Sequence, residues 1–132
     1  MLKKFFIHSI AALCLLLLCN LNATATIYNA IASGNYTDAS TWQGGNIPPR
    51  NPTGHSIIIP SGITVTVATK MFFTGSSASD ELHVEGNLNM PGMELILFDA
   101  VLKGSGTITA GSFGGEFTRG FDFSGTITTG YL

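Results

Sequence analysis

The acidic side chains are the first candidates for chemistry in this chain, whose 132 residues include eight aspartates and glutamates. Glycoside hydrolysis needs two carboxyl groups held roughly 5–10 Å apart across the scissile bond. Glu85 and Glu94 occupy polar positions of successive strand-like segments, as do Asp99 and Asp122, so each pair could meet on one face. Scattered acids form such pairs by chance, however, and we predict no catalytic residue.

Histidine and cysteine side chains form no metal-binding pattern. Beyond residue 25 the histidines are His55 and His83, which make no H-x-H or H-x-x-x-H pair, and there is no cysteine. A thiolate zinc site and a cysteine nucleophile are therefore excluded there. No glycine-rich phosphate-binding loop leads into a helical pattern. We predict no metal, no cofactor and two solvent-exposed histidines.

The N-terminus has the three parts of a secretory signal peptide. Lys3 and Lys4 form a positive start, Ile10–Leu18 is a short apolar core, and Ala23 and Ala25 bracket a small-residue cleavage site. The apolar run is shorter than the roughly 20 residues that a transmembrane helix needs. We therefore predict a signal peptide over residues 1–25, cleavage after Ala25, no stable membrane span after cleavage, and a secreted or cell-surface protein.

Removal of this leader changes the chemistry of the chain. Cys14 and Cys19 both leave with it, so the exported chain has no disulfide. Two of the six basic residues also leave, and the remaining basic residues are outnumbered by eight acidic ones. This acidic balance, without a basic patch, argues against a nucleic-acid partner. The length predicts one domain.

Period-two alternation dominates the rest of the chain. Apolar β-branched and polar residues alternate in segments bounded by turn residues such as Pro60-Ser61-Gly62. Such residues suit a pleated, half-buried surface. The pattern predicts an all-β fold, with strands at Ile63–Val67, Leu82–Met90, Met93–Phe98, Gly106–Ala110 and Gly125–Thr128.

Internal similarity indicates which all-β fold this is. Ser61–Thr64, Ser105–Thr109 and Ser124–Thr128 resemble one repeated phrase, and Leu82 follows Ile63 by about one period. Repeats of roughly 20 residues are typical of solenoids, whose units bury their apolar faces by stacking. We predict a short right-handed parallel β-helix of about five rungs, with a β-sandwich as the alternative.

The stretch Asn35–Pro49 contains the only tryptophan, Trp42. The open end of a solenoid is apolar and unpaired, so its terminal repeat acts as a cap. An indole could cover such an end, Gly44 and Gly45 permit a sharp reversal, and Pro48 stops further strand pairing.

The exported chain therefore divides into two parts of one domain. We predict a capping segment at residues 26–55 and β-helical rungs over residues 56–132. The capping segment has an alternative role, because aromatic residues are also common contact residues. Trp42 and Tyr36 are candidate ligand contacts that could stack on a sugar.

The run from Ser33 to Val67 resembles the start of the eight-glycine (G-eight) extracellular domain family and of related bacterial β-helical segments. Gly86 resembles a later glycine turn of that family, whereas Tyr36 replaces its first tryptophan and Gly54-His55 replaces a common acidic residue. The resemblance implies an extracellular β-rich module, often found in proteins that meet carbohydrate, and it implies no enzyme. The matching residues are Ser33, Gly34, Asp38, Thr41, Trp42, Gly44, Gly45, Pro48, Pro60, Gly62, Thr64 and Val65.

Two further surfaces remain open. Paired threonines alternate along three strands and could bind a repeating polymer or ice, although threonine is also simply a good outward strand residue; they are Thr64, Thr66, Thr107, Thr109, Thr126 and Thr128. Near the C-terminus we expect a core cluster of Phe113, Phe117, Phe121 and Phe123. The last rung ends at Tyr131-Leu132 without an evident cap, which predicts either self-association through that rung or a truncated gene product.

These patterns together predict a secreted or cell-surface, non-enzymatic β-helical module with a structural or adhesion role. The first alternative is a carbohydrate-binding module, for which an extracellular polysaccharide would be the partner. The second is a minimal polysaccharide-active enzyme.

Overall fold

The computed structural model describes residues 25–75, 79–116 and 119–130, which contain eleven β-strands and two short 3-10 turns. Phe117, Tyr131-Leu132 and all of the predicted leader except Ala25 lie outside the described residues. The turns are Ala39–Thr41 and Gln43–Gly45. The strands are β1 (Thr26–Asn29), β2 (Gly34–Asn35), β3 (His55–Ile59), β4 (Thr64–Thr66), β5 (Met71–Thr74), β6 (Glu81–Val84), β7 (Asn87–Phe98), β8 (Val101–Gly104), β9 (Thr107–Glu116), β10 (Phe121–Phe123) and β11 (Thr126–Thr129).

The strands form two parallel sheets that run the length of the molecule. The first sheet has the order β1-β3-β6-β8-β10, and the second has the order β2-β4-β7-β9-β11. Successive layers therefore each contribute one strand to each sheet, and the pairing between them is parallel throughout. The predicted parallel β-helix is confirmed. The sandwich alternative is wrong, because a sandwich is built from antiparallel sheets.

A third face completes the coil in the central layers. A β-bulge between Met90 and Glu94 bends β7, and the part of β7 after it pairs with β5 on one side and β9 on the other. About three turns therefore have three faces, whereas the first and last layers supply two strands each. We call β5, Glu94–Phe98 and Ser112–Glu116 the third face.

The strand register differs from the spacing inferred from sequence. Leu82 pairs with Ile57 on one side and Leu102 on the other, so the predicted alignment of Leu82 with Ile63 is wrong. Thr64 and Thr107 both pair with Asn87. The observed register therefore differs by one residue from the alignment of the repeated phrases in the sequence. The reason is that layers differ in length, since insertions at the corners are longer near the N-terminus.

Inward-pointing side chains form one continuous core. Ile57, Leu82 and Leu102 stack in successive layers of the first sheet and are at most 1% exposed. Val65 and Leu88 stack in the same way in the second sheet, and the next layer continues this column. Full burial of such a side chain contributes about 1.5–3 kcal/mol. No long apolar helix of the kind that crosses a membrane occurs in the part of the chain that the structure describes.

The C-terminal phenylalanines do not all join this core. Phe113 and Phe123 are partly buried against it, in agreement with the sequence prediction. Phe121 is 52% exposed, so its assignment to the core is wrong. It continues the column of Leu102 into the last layer of the described residues, where no further strand covers it.

Glycines line the corner that joins the two sheets. Gly86, Gly106 and Gly125 occupy equivalent positions of successive layers, and a Cβ atom on any of them would overlap a backbone carbonyl oxygen of the preceding layer. Gly86 was predicted as a turn residue, and this close approach is the physical reason for the glycine. The corner therefore tolerates no side chain.

Replacement of Gly106 by alanine tests the close approach at this corner. We expect Gly106→Ala to lower the free energy of unfolding by about 1–3 kcal/mol, because the new methyl group forces the layers apart. Gly114→Ala is the matched control, since a Cβ atom there meets nothing within 4 Å; its change should stay within about 0.5 kcal/mol. Urea denaturation measures both, and equal stabilities would contradict the steric explanation.

Candidate functional site

Trp42 and Tyr36 are buried together at the N-terminal end of the stack. Trp42 is 1% exposed and Tyr36 is 5% exposed. The indole Nε1 donates to the Tyr36 carbonyl oxygen at 2.8 Å, and the two rings meet edge to face with centroids 5.3 Å apart. The Tyr36 hydroxyl donates to the carbonyl oxygen of Pro49 at 2.9 Å. The two aromatic residues thus tie the first layer to the segment that follows it.

This burial bears on the two roles predicted for the pair. Neither ring presents a face to solvent in this structure, which suits a capping role for Trp42 and leaves no open ring face on which a sugar could stack. Gly44 and Gly45, with φ of 69° and 72°, make the reversal that returns the chain over the indole. Pro48 is buried beyond them.

The turn before the predicted strand Ile63–Val67 is formed as expected. Gly62 has a φ of 79°, a conformation that favours glycine. The amide of Ile63 donates to the carbonyl oxygen of Pro60 at 3.2 Å, which closes the turn. Pro60 and Gly62 therefore position β4 rather than contact a ligand.

A polar cluster covers the outward side of the first sheet. Lys103 Nζ lies 2.7 Å from Glu81 Oε2, and His83 Nε2 lies 3.0 Å from Glu85 Oε1. The hydroxyl of Ser105 donates to Glu85 Oε2 at 2.5 Å. A shallow groove of about 280 Å³ lies beside this cluster. It is lined by His83, Glu85, Lys103, Gly104, Ser105, Asp122 and Ser124.

The groove lacks the contacts of a hydrolytic site. A serine nucleophile needs a hydrogen bond to a base such as histidine, whereas Ser105 bonds to a carboxylate. That hydroxyl, together with His83, holds the pKa of Glu85 below its usual range, so Glu85 is a poor proton donor near neutral pH. The hydrogen bond that the Lys103 ammonium donates to Glu81 raises the pKa of Lys103. Within the described residues, no three histidine or carboxylate side chains converge as metal ligands.

The carboxylate pairs proposed from sequence do not form as expected. Glu85 belongs to the cluster on the first sheet, but Glu94 lies on the third face and forms an ion pair with Lys70. The expected meeting of Glu85 and Glu94 is wrong, because the chain turns a corner between them. Asp99 has a φ of 56° at the corner before β8, whereas Asp122 lies in β10 beside the groove.

An aromatic strip on the third face was missed by the sequence analysis. Phe72, Ile96 and Phe98 point outward from β5 and β7; Phe98 is 42% exposed. The two phenyl rings lie 6.0 Å apart at an interplanar angle of 40°. Gly114 pairs with Ile96 and leaves open space beside it. The outward parity of Phe72 with Thr74 was the available signal, but β5 was not predicted as a strand.

Polar side chains flank this strip at both ends. The ammonium of Lys70 lies 4.9 Å from the Phe72 ring centroid and pairs with Glu94. At the other end the hydroxyls of Thr74 and Thr53 are 3.0 Å apart. The face therefore offers an apolar surface with hydrogen-bonding groups on either side.

Comparisons of the chain with protein families, with curated proteins and with solved structures gave no match. The resemblance to the eight-glycine family therefore stays a prediction. The functional argument depends on the geometry of the faces described above.

Alkaline unfolding tests the burial of Tyr36. Desolvation, and secondarily the nearby Tyr28, raises the pKa of the Tyr36 hydroxyl above its usual range. The folded protein therefore keeps the proton on the Tyr36 hydroxyl above about pH 10, where the unfolded chain releases it. The stabilisation is complete below that pH, and stability falls as pH rises above it, by at most about 1.4 kcal/mol per pH unit.

In the variant Tyr36→Phe, the free energy of unfolding should no longer show this decrease above about pH 10. The variant should also be less stable at neutral pH, since the hydrogen bond to Pro49 is lost. Urea denaturation between pH 8 and pH 11.5 measures both chains. Parallel curves for the two proteins would show that Tyr36 ionises freely in the folded state.

Proposed function

We propose that this protein is a secreted or cell-surface, non-enzymatic adhesion module that binds polysaccharide through the third face. The strip of Phe72, Ile96 and Phe98, in which Phe98 is exposed and the other two side chains are half-buried, carries the proposal. Exposed apolar patches rimmed by polar residues mark interaction sites on soluble proteins. The signal-peptide pattern at the N-terminus supports an extracellular setting.

The chemistry of the strip suits a sugar polymer. Aromatic rings supply large contact area at low conformational cost, and their faces pack against the C–H groups of a pyranose ring. Lys70 and Glu94 at one end and Thr74 at the other can exchange hydrogen bonds with hydroxyl groups of the sugar. Because the strip lies on an extended sheet face, it suits a polymer that runs across the layers better than a small enclosed ligand.

The carboxylates of this face support binding rather than hydrolysis. Glu94 and Glu116 lie at opposite ends of the paired strands and are four residues apart in register, since Glu94 pairs with Ser112. Four residues of a parallel strand span about 13 Å, which exceeds the separation that glycoside hydrolysis uses. Glu94 is also held by the Lys70 ammonium.

Truncation of the exposed ring tests this proposal. Phe98→Ala should weaken binding to a responsive polysaccharide at least about tenfold, or 1.4 kcal/mol, because the platform loses its most exposed ring. Phe121→Ala is the matched control, since Phe121 is similarly exposed but lies in the last layer of the first sheet. Affinity electrophoresis against a panel of neutral and acidic polysaccharides measures the effect.

Retention of affinity in Phe98→Ala, or equal losses in Phe98→Ala and Phe121→Ala, would remove the third face as the binding site. Failure of every polysaccharide to retard the wild-type protein would favour a purely structural role. Circular dichroism of each variant confirms that the fold is kept.

A further inference from the structure

The outward face of the second sheet carries two straight columns of small hydrogen-bonding side chains. They come from alternate positions of β2, β4, β7, β9 and β11, and strand register aligns them layer by layer. The threonines were candidates from the sequence, whereas only the strand register shows that asparagines continue their columns. One column is Thr64, Asn87, Thr107 and Thr126; the other is Asn35, Thr66, Asn89, Thr109 and Thr128.

The spacing of these columns is set by the backbone. Neighbouring strands in a sheet lie about 4.7–4.9 Å apart, which fixes the separation of side chains within a column. The columns are two residues apart along parallel strands, a distance of about 6.6 Å. The face is therefore a two-dimensional lattice of hydroxyl and amide groups rather than a set of independent polar residues.

The lattice is held rigid from beneath and within. Val65, Leu88 and Ile108, which alternate with the outward residues, are at most 1% exposed, so the backbone under the columns is fixed by core packing. The side-chain amide of Asn87 donates to the Thr64 hydroxyl at 3.2 Å. Threonine is β-branched and has few χ1 choices in a strand. Its hydroxyls therefore keep defined positions before any partner arrives.

We propose that this face binds ice. Each water oxygen in ice has tetrahedral neighbours at about 2.8 Å, so second neighbours repeat every 4.5 Å or so along a row, and equivalent rows repeat about every 7 Å. The column spacing matches the first repeat, and the separation of the two columns is close to the second. With only two columns, the mismatch across the strands does not accumulate.

The composition of the face favours ice over the sugar polymer proposed for the third face. Neither column contains a charged or aromatic residue, so there is no stacking platform and no strongly hydrated ion to disturb an ordered water layer. The hydroxyl and methyl of each threonine offer one polar and one apolar contact at six of the nine lattice points, and asparagine amides occupy the other three. This site is separate from the third face and does not depend on its function.

Partition of the purified protein into slowly growing ice tests the proposal. The wild-type protein should be incorporated into the ice and should inhibit ice recrystallisation. In Thr107→Lys a long charged side chain stands in the middle of one column, and both effects should fall to the level of an inert protein. Ile58→Lys is the matched control, because Ile58 points outward from the first sheet; it should behave as wild type.

Exclusion of the wild-type protein from ice, or equal incorporation of all three proteins, would overturn the proposal. So would wild-type exclusion from ice combined with Thr107-dependent adsorption to crystalline cellulose or chitin, which would identify an ordered polymer as the partner. Phe98→Ala should keep its ice activity, and Thr107→Lys should keep polysaccharide binding, so the failure of one site is distinguishable from the failure of the other.

Discussion

Parallel backbone pairing between successive layers constrains every other feature of this fold. The described residues contain no cysteine, so no covalent cross-link holds the layers together. Each layer instead donates and accepts backbone hydrogen bonds in parallel register, and stacks its inward side chains on those of the next layer. The glycine corner follows from this constraint, because the backbones of successive layers come into direct contact where the chain turns. The buried Trp42 and Tyr36 follow as well, since within the described residues the first layer pairs with a neighbour on one side only.

The same constraint determines what the surfaces can do. Parallel stacking places residues of equal register in straight columns, so chemistry on one face is repeated rather than gathered around one point. Acidic groups far apart along the strands cannot converge, as Glu94 and Glu116 show. Extended partners with regular structure suit such faces better than small substrates. This is why both the aromatic strip and the polar lattice point to adhesion to repeating surfaces.

Local sequence was a good guide wherever alternation alone decides the structure. The outward position of His83 follows from period two, and the solenoid follows from the repeated phrases. The predicted strand Leu82–Met90 is instead divided at the glycine corner into β6 and the start of β7, which belong to different sheets. Register was less accessible, because corners of unequal length shift the repeats and separate Leu82 from Ile63. The third face was missed because β5 is short and its partners follow a bulge, so its alternation is interrupted. The exposure of an aromatic ring depends on its neighbours in other layers, which is why the exposed ring of Phe98 was not predicted from the sequence.

The last two layers have nearly equal lengths and share the glycine corner at Gly106 and Gly125. A duplication of the DNA encoding one such coil would insert a unit that matches its neighbours in every column at once. Each column on a face would gain one residue, and the residues already in the column would not change. Such a protein can therefore evolve greater reach, and greater avidity for a periodic surface, through copy number rather than through substitution.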